Sequence, residues 1–245
     1  MIDTPFEILG TPGQGGFLII GDHASNRIPD DIDLGIDLAL LRDHIAWDIG
    51  VAEVTRLIIQ DTGFAAYLGG YSRLVVDLNR DVDDAAAFPA QSDGVVIPGN
   101  NLALSEKEAR LERFHRPYHN HLQQLLSQHR PALILSLHSF TPALETKPHE
   151  ARPWEVGVLY NEQEAASKLA IPFLEHAGYC VGDQLPYSGK LMNATMNRHA
   201  EAHNIPYVGI EMRQDLSSNP NGQARYARTL AEMCHFVSEQ LGLLL

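Results

Sequence analysis

Short runs of β-branched and apolar residues alternate with helix-length stretches along the whole 245-residue chain, and this alternation restricts the fold more than any other feature. The runs are FLIIG (17–21), FAAYL (64–68), RLVVD (73–77), ALILSL (132–137), VGVLY (156–160) and YVGIEM (207–212). They are nearly continuous in apolar residues, the pattern of strands covered on both faces. Residues 37–61 carry Leu and Ile at spacings of three and four, with a break near Trp47, and residues 105–129, 162–177 and 220–242 read as further helices. Ser105 with Glu108 has the spacing of a capping box, and Asn219 followed by Pro220 supplies a cap and a first turn. Strands separated by helices predict an α/β fold: a single three-layer α/β/α domain over residues 1–245, with a mostly parallel mixed sheet between helix layers. Residues 81–103 lack periodicity and are rich in turn residues, so they read as a long loop, a lid over one edge of the sheet.

Charge narrows the partners. A formal net charge of −13 argues against nucleic acid, which needs a basic face to offset phosphates. An anionic ligand would therefore have to be held by cations fixed inside a pocket. Cys180 and Cys234 have no metal-type spacing, which predicts two reduced thiols and a cytoplasmic protein. The N-terminus MIDTPFEILG has no basic segment or long apolar core, so no signal peptide is expected. No apolar run approaches the roughly 18 residues of a membrane span, so no membrane partner is expected either. Nothing in the sequence bears on oligomeric state.

In open α/β sheets, ligands sit at the carboxyl ends of strands. The polar residues there are Asp22, His23 and Asn26 after the first run, and Asp77, Asn79 and Arg80 after RLVV. His138 and Ser139 follow ALILSL, and Glu211 and Arg213 end YVGIEM. Two imidazoles from separate strand ends suit zinc, which wants about three protein ligands and one open position in a catalytic site. Asp77 could take the second ring N–H of His23 and fix its tautomer. Glu211 could remove a proton from an activated water and hand it to a leaving amine, and an arginine could stabilise the oxyanion or clamp a carboxylate. The reaction class is metal-assisted hydrolysis of an amide.

Rival features carry less. His115 and His119 in FHRPYHNHL are four apart, but Pro117 lies between them and no His-Glu-x-x-His is present, so a structural or supporting role is expected. His44 and Asp48, also four apart, read either as support behind the site or as ordinary hydrogen-bonding groups at a helix end. There is no Gly-x-Ser-x-Gly for a serine nucleophile and no Gly-x-Gly-x-x-Gly or Walker lysine for a nucleotide.

The stretches VVDLNRD, SLHSF and GIEMR resemble the zinc carboxypeptidase superfamily. The wider pattern is the first-strand His loop ending in Ile-Pro, YSRLVVDLNR, FHRPYHNHL, LHSF and a late PYSG; it resembles the N-formylglutamate amidohydrolase family more closely, from about residue 17 to 215. The resemblance implies a phosphorylase/hydrolase-like fold and one zinc ion held by His23 and His138. Asn26 stands where carboxypeptidases place a glutamate ligand, with Asp22 as its substitute. It also implies that Asp77 orients His23, that Asn79 and Arg80 hold a substrate carboxylate, and that Glu211 is general base and acid. Tyr187 in PYSG would close over the substrate, Arg73 is the candidate oxyanion partner, and Arg213 is a further substrate-binding candidate. The expected activity is hydrolysis of a small acidic N-acyl amino acid such as N-formylglutamate. Two alternatives stay open: a carboxypeptidase- or deacylase-like hydrolase on another small acid, and a catalytically silent protein of the same fold that binds such an acid.

Overall fold

Burial on both faces of one sheet organises the structure, a computed structural model that describes residues 4–243. The strands of the main sheet are β1 (Phe6–Leu9), β2 (Phe17–Gly21), β3 (Ala65–Gly69), β6 (Leu133–Phe140), β7 (Val156–Leu159), β8 (Val181–Asp183) and β9 (Tyr207–Arg213). A separate hairpin holds β4 (Gln91–Ser92) and β5 (Val95–Val96). The helices are α1 (Val51–Thr62), α2 (Leu104–Arg110), α3 (Arg116–Gln128), α4 (Ala165–His176), α5 (Ala194–His199), α6 (Gln214–Ser217) and α7 (Pro220–Gln240). The seven-stranded sheet has the order β1-β3-β2-β6-β9-β7-β8. Its central pairs β3–β2, β2–β6 and β6–β9 are parallel, whereas β1–β3 and β7–β9 are antiparallel.

Strand side chains alternate between two cores, as a period of two requires. From β2, Ile19 faces a core shared with Val54 and Ile58 of α1 and Leu230 of α7. Leu18 and Ile20 face the other, shared with Phe114, Tyr118 and Leu122. That is the mixed three-layer α/β arrangement expected from the sequence. Among the described residues, no helix is long and apolar enough to cross a membrane.

Several local expectations are corrected. RLVVD (73–77) is not a strand but a sequence of turns, in which Val75 N donates to Ser72 O at 2.9 Å. Its Leu74, Val75 and Val76 are buried all the same. The turn brings Arg73 and Asp77 together, Nη2 to Oδ2 2.7 Å, a contact a straight strand would forbid. The helix expected over 37–61 is a 3-10 turn at Leu38–Arg42 followed, after the break near Trp47, by α1. The one expected over 105–129 is α2 and α3 joined by a π-helical turn at Leu111–His115. Its start lies at Leu104, where Glu106 accepts from Ala103 N, so Ser105 and Glu108 form no capping box. The cap at Asn219 is present, accepting from Gly222 N at 3.1 Å. Within 81–103 the two-residue Asp93-Gly94 turn makes the β4–β5 hairpin, with φ of 39° and 85°.

Gly69, at the end of β3, is required by close approach: a Cβ there would meet Asp22 O at 2.0 Å. β3 thereby presses against the turn that carries His23.

Candidate active site

The parallel ladder sets the first relation. β6 and β9 pair with His138 opposite Glu211, so both side chains reach the carboxyl edge together. β2, two strand positions away from β9, ends at Gly21 and turns at Asp22 and His23. Asp48 N donates to His23 O at 2.9 Å, which docks the turn before α1 directly beside that histidine. At Gly50 the backbone adopts φ 90°, where a Cβ would strike Ser217 O at 2.4 Å. Only glycine lets the chain leave Asp48 and enter α1 there.

His23, Asp48 and His138, all buried, bring one donor atom each within 4.8 Å of one another. His23 Nδ1 is 3.4 Å and His138 Nδ1 2.9 Å from Asp48 Oδ2. Ligand atoms about 2.0–2.3 Å from a tetrahedral ion stand roughly 3.3–3.8 Å apart, so the cluster has nearly the spacing of a zinc site. On the far side of the His23 ring, Nε2 lies 2.7 Å from Asp77 Oδ1. A neutral His23 that donates to Asp77 turns a bare Nδ1 lone pair toward the Asp48 carboxylate, and this buried Nδ1 has no hydrogen-bond partner among the described residues. Two facing lone pairs repel unless a cation or a proton lies between them. Burial and Arg73 lower the pKa of His23, but Asp77 and Asp48 outweigh them and raise it to about 9. Burial also lowers that of His138, and its contact with Asp48 outweighs this and raises it. Asp48 and Asp77 stay ionised: burial raises both pKa values, but the histidines and, for Asp77, first of all Arg73 hold them well below the usual carboxylate range. The site thus concentrates negative charge around imidazole nitrogens, the environment in which a divalent cation displaces protons. The donor set fits zinc.

A cavity of about 280 Å³ opens over this cluster. Arg73, Asn79, Arg80, Tyr187 and Glu211 line it, as does His44. Burial pushes Glu211 up to about 7, beyond what nearby His138 and Arg73 offset. Arg73 binds Asp77 through Nε and Nη2 at 3.2 and 2.7 Å, and its Nη1 lies 3.6 Å from Asp48 Oδ1. Arg80 Nη2 donates to Met192 Sδ at 3.4 Å, its buried Nε has no partner, and it forms no ion pair among the described residues. Asn79 Oδ1 accepts from Thr195 N at 3.0 Å, and its amide N–H groups have no partner among the described residues. His44 Nε2 lies 3.1 Å from Asp93 Oδ2, which also accepts from Glu145 N, while Asp93 Oδ1 accepts from Thr146 N. Asp22 lies behind the cluster: Tyr118 OH donates to its Oδ1 at 2.7 Å, and its Oδ2 is 3.6 Å from His138 Nε2.

Two expected site residues are not brought in. Asn26 turns away: residues 24–29 carry no helical turn that could return position i+3 beside His23, and Asn26 Nδ2 donates to Leu41 O at 2.7 Å. Asp48, expected only as support, takes the place in the cluster expected of Asn26 or Asp22. Arg213 pairs with Asp215, Nε to Oδ1 2.8 Å, and donates to Pro153 O at 3.2 Å, outside the cavity lining. Sequence reasoning missed Asp93, which the Asp-Gly hairpin signal could have revealed. It also missed Arg152, a buried cation donating to Tyr187 OH at 3.1 Å and Thr141 O at 3.3 Å, for which the sequence offers no signal.

Fold and site together define an α/β protein of the hydrolase-like kind, with a metal-capable cluster at the carboxyl edge of its sheet. The chain belongs to the N-formylglutamate amidohydrolase family, whose model matches residues 15–217. Among solved structures it is similar to gene product Atu2144 from Agrobacterium tumefaciens, at 27% identity and TM-score 0.91, covering 98% of this chain and 96% of that one. It is also similar to N-formylglutamate amidohydrolase from Ralstonia eutropha JMP134, at 19% identity and TM-score 0.76, covering 98% of each chain. A bacteriophage poly-gamma-glutamate hydrolase shares the fold more distantly, at 14% identity and TM-score 0.50 over 99% of this chain and 93% of that one. No curated protein sequence matches the chain.

Proposed function

We propose that the protein hydrolyses the amide bond of a small N-acyl amino acid with a free carboxylate, N-formylglutamate first among them, using zinc held by His23, Asp48 and His138. The carrying observation is the pairing of His138 with Glu211 across β6 and β9, which sets a buried carboxylate with a pKa of about 7 in the same cavity as the metal-capable cluster. When bound, the metal supplies Lewis acidity toward a carbonyl oxygen and toward water. Asp77 holds His23 Nε2 and keeps Nδ1 free as a ligand. Glu211 takes the proton from the attacking water and passes it to the amine nitrogen as the C–N bond breaks, so that water and amide become acid and amine. Arg73 meets negative charge developing on the carbonyl oxygen. Asn79 and Arg80 grip the carboxylate, the guanidinium supplying the charge that a protein at −13 otherwise lacks. Tyr187, which lines the same cavity, covers the substrate. The free thiols Cys180 and Cys234 suit a reducing, cytoplasmic setting.

Amine release from N-formylglutamate and a panel of other N-acyl amino acids, with and without chelator, tests the reading. Release that a chelator abolishes and added zinc restores supports it. A zinc-loaded protein that binds these acids yet releases no amine from any of them would replace it with a silent binder.

A further inference from the structure

The buried histidines of the FHRPYHNHL stretch lie outside the metal-capable cluster, yet they reach the substrate loop. Pro117 has no N–H, and in a regular α-helix its ring would strike the carbonyl of Arg113. The chain widens into the π turn at Leu111–His115, closed by Arg116 N donating to Leu111 O. His115 and His119 then stand side by side, ring centroids 4.4 Å apart, on a face turned toward the loop after RLVVD. His115 Nε2 lies 2.9 Å from Arg80 O, and His119 Nε2 lies 2.9 Å from Leu78 O. Carbonyls only accept, so both Nε2 atoms carry protons. A neutral His119 then has a lone pair at Nδ1, which meets His199 Nε2 at 2.9 Å and accepts its proton. The direction is fixed along the chain: His199 donates to His119, and His119 to Leu78. One turn earlier on α5, Thr195 N donates to Asn79 Oδ1 at 3.0 Å.

We propose that His119, set in its tautomer by His199 and seconded by His115, is a positioning residue that clamps the carbonyls on either side of Asn79 and so aims Asn79 and Arg80 at a substrate carboxylate. This rests on the carboxylate role given to those two residues above. Arg80 needs such a clamp because, among the described residues, no carboxylate pairs with its guanidinium; Met192 Sδ, at 3.4 Å, accepts from its Nη2. Its aim comes from the backbone, and the backbone is held by imidazoles. Burial suits the three rings to neutral donor and acceptor roles: it lowers the pKa values of His115 and His119, and that of His199 to about 4.

The test compares H119L, H119Q and H199F with the wild type on N-formylglutamate and its α-carboxamide, reading KM, kcat and, by calorimetry, Kd. His119→Leu, which removes the bond to Leu78 O, and His199→Phe, which removes the donor that holds His119 in place for that bond, should each raise KM and Kd for the acid by about 10-fold, with kcat within about 3-fold. The amide should shift far less. His119→Gln can still donate to Leu78 O and accept from His199, and should recover most of the affinity. Acid and amide moving together, or kcat falling at constant KM, would overturn the clamp. Should H119L fail to melt cooperatively, H199F decides alone, because its ring retains the stack on His119, now at 5.2 Å between centroids. A wild type that binds the acid without turnover would sink the proposed hydrolysis, and the Kd ratios would still decide the clamp.

Discussion

Asp48 Oδ2 stands 3.4 Å from one imidazole nitrogen and 2.9 Å from another, and the chemistry proposed here depends on that convergence. His23, His138 and Glu211 were legible because a polar residue at the end of an apolar strand reaches the sheet edge, whereas Asp77, Asn79 and Arg80 arrive there from buried turns that the same apolar run disguises as a strand. Asp48 was legible only as support behind the site, because it joins the cluster from a turn docked sideways through its own N–H on His23 O, a tertiary contact no spacing encodes. Glu211 carries the sharpest expectation at this scale. Glu211→Gln keeps size and hydrogen bonding but removes the base, so kcat should drop by about 10²–10⁴ with metal retained. As burial pushes Glu211 up to about 7, wild-type activity should rise with pH on an acid limb above the ordinary glutamate range, and the Gln variant should lack that limb. Undiminished turnover in E211Q would leave Glu211 a bystander. Arg80→Lys should raise KM for the carboxylate substrate by about 10-fold or more, since lysine cannot reproduce a two-bond grip worth about 1.5–3 kcal/mol. The matching amide should be nearly indifferent to R80K; equal effects on acid and amide would remove Arg80 from carboxylate binding.

Elements fared unevenly, and the reasons are physical. β2, β6 and β9 match their runs because strands covered on both faces must be apolar throughout. RLVVD is equally apolar and buried, yet it folds as turns because Ser72 O accepts from Val75 N and Arg73 closes on Asp77. Periodicity cannot separate those outcomes over five residues. β1 and β8 went unseen because they pair through short, partly exposed segments with weak apolar character. The turn from Asp48 into α1 makes a measurable claim of its own. Gly50→Ala would place a methyl group 2.4 Å from Ser217 O at φ 90°, so unfolding free energy should fall by about 1–3 kcal/mol or more. Gly63→Ala shares the left-handed backbone, φ 72°, but meets nothing within 4 Å, and should cost less. Equal melting temperatures for the two variants would show that the Gly50 turn is not pressed against Ser217.

For the whole molecule, stability should depend on pH through its buried neutral histidines. The unfolded chain protonates these near 6.5, whereas burial keeps His199 neutral to about 4 and also lowers His115 and His119. Between those values the unfolded state binds more protons at these three histidines than the folded state gains at Glu211, so the metal-free protein should lose stability as pH falls from about 6.5 toward 4. His199→Phe should flatten that slope in denaturant titrations; an unchanged slope would mean that His199 does not stay neutral in the fold. The α/β class was readable from alternation alone, and the charge of −13 directs attention to the cations Arg73 and Arg80 that line the cavity. How the site closes was not readable, since Asp48, Asp93 and Arg152 meet it only after the chain has folded. The most direct measurement is zinc content by elemental analysis of the wild type, Asp48→Ala and Asn26→Ala, purified with zinc present. The expected result is about one zinc per chain in the wild type and N26A, and little in a folded D48A, because a catalytic site left with two protein ligands holds zinc poorly. Full zinc in D48A, or zinc lost in N26A, would contradict the His23, Asp48 and His138 centre.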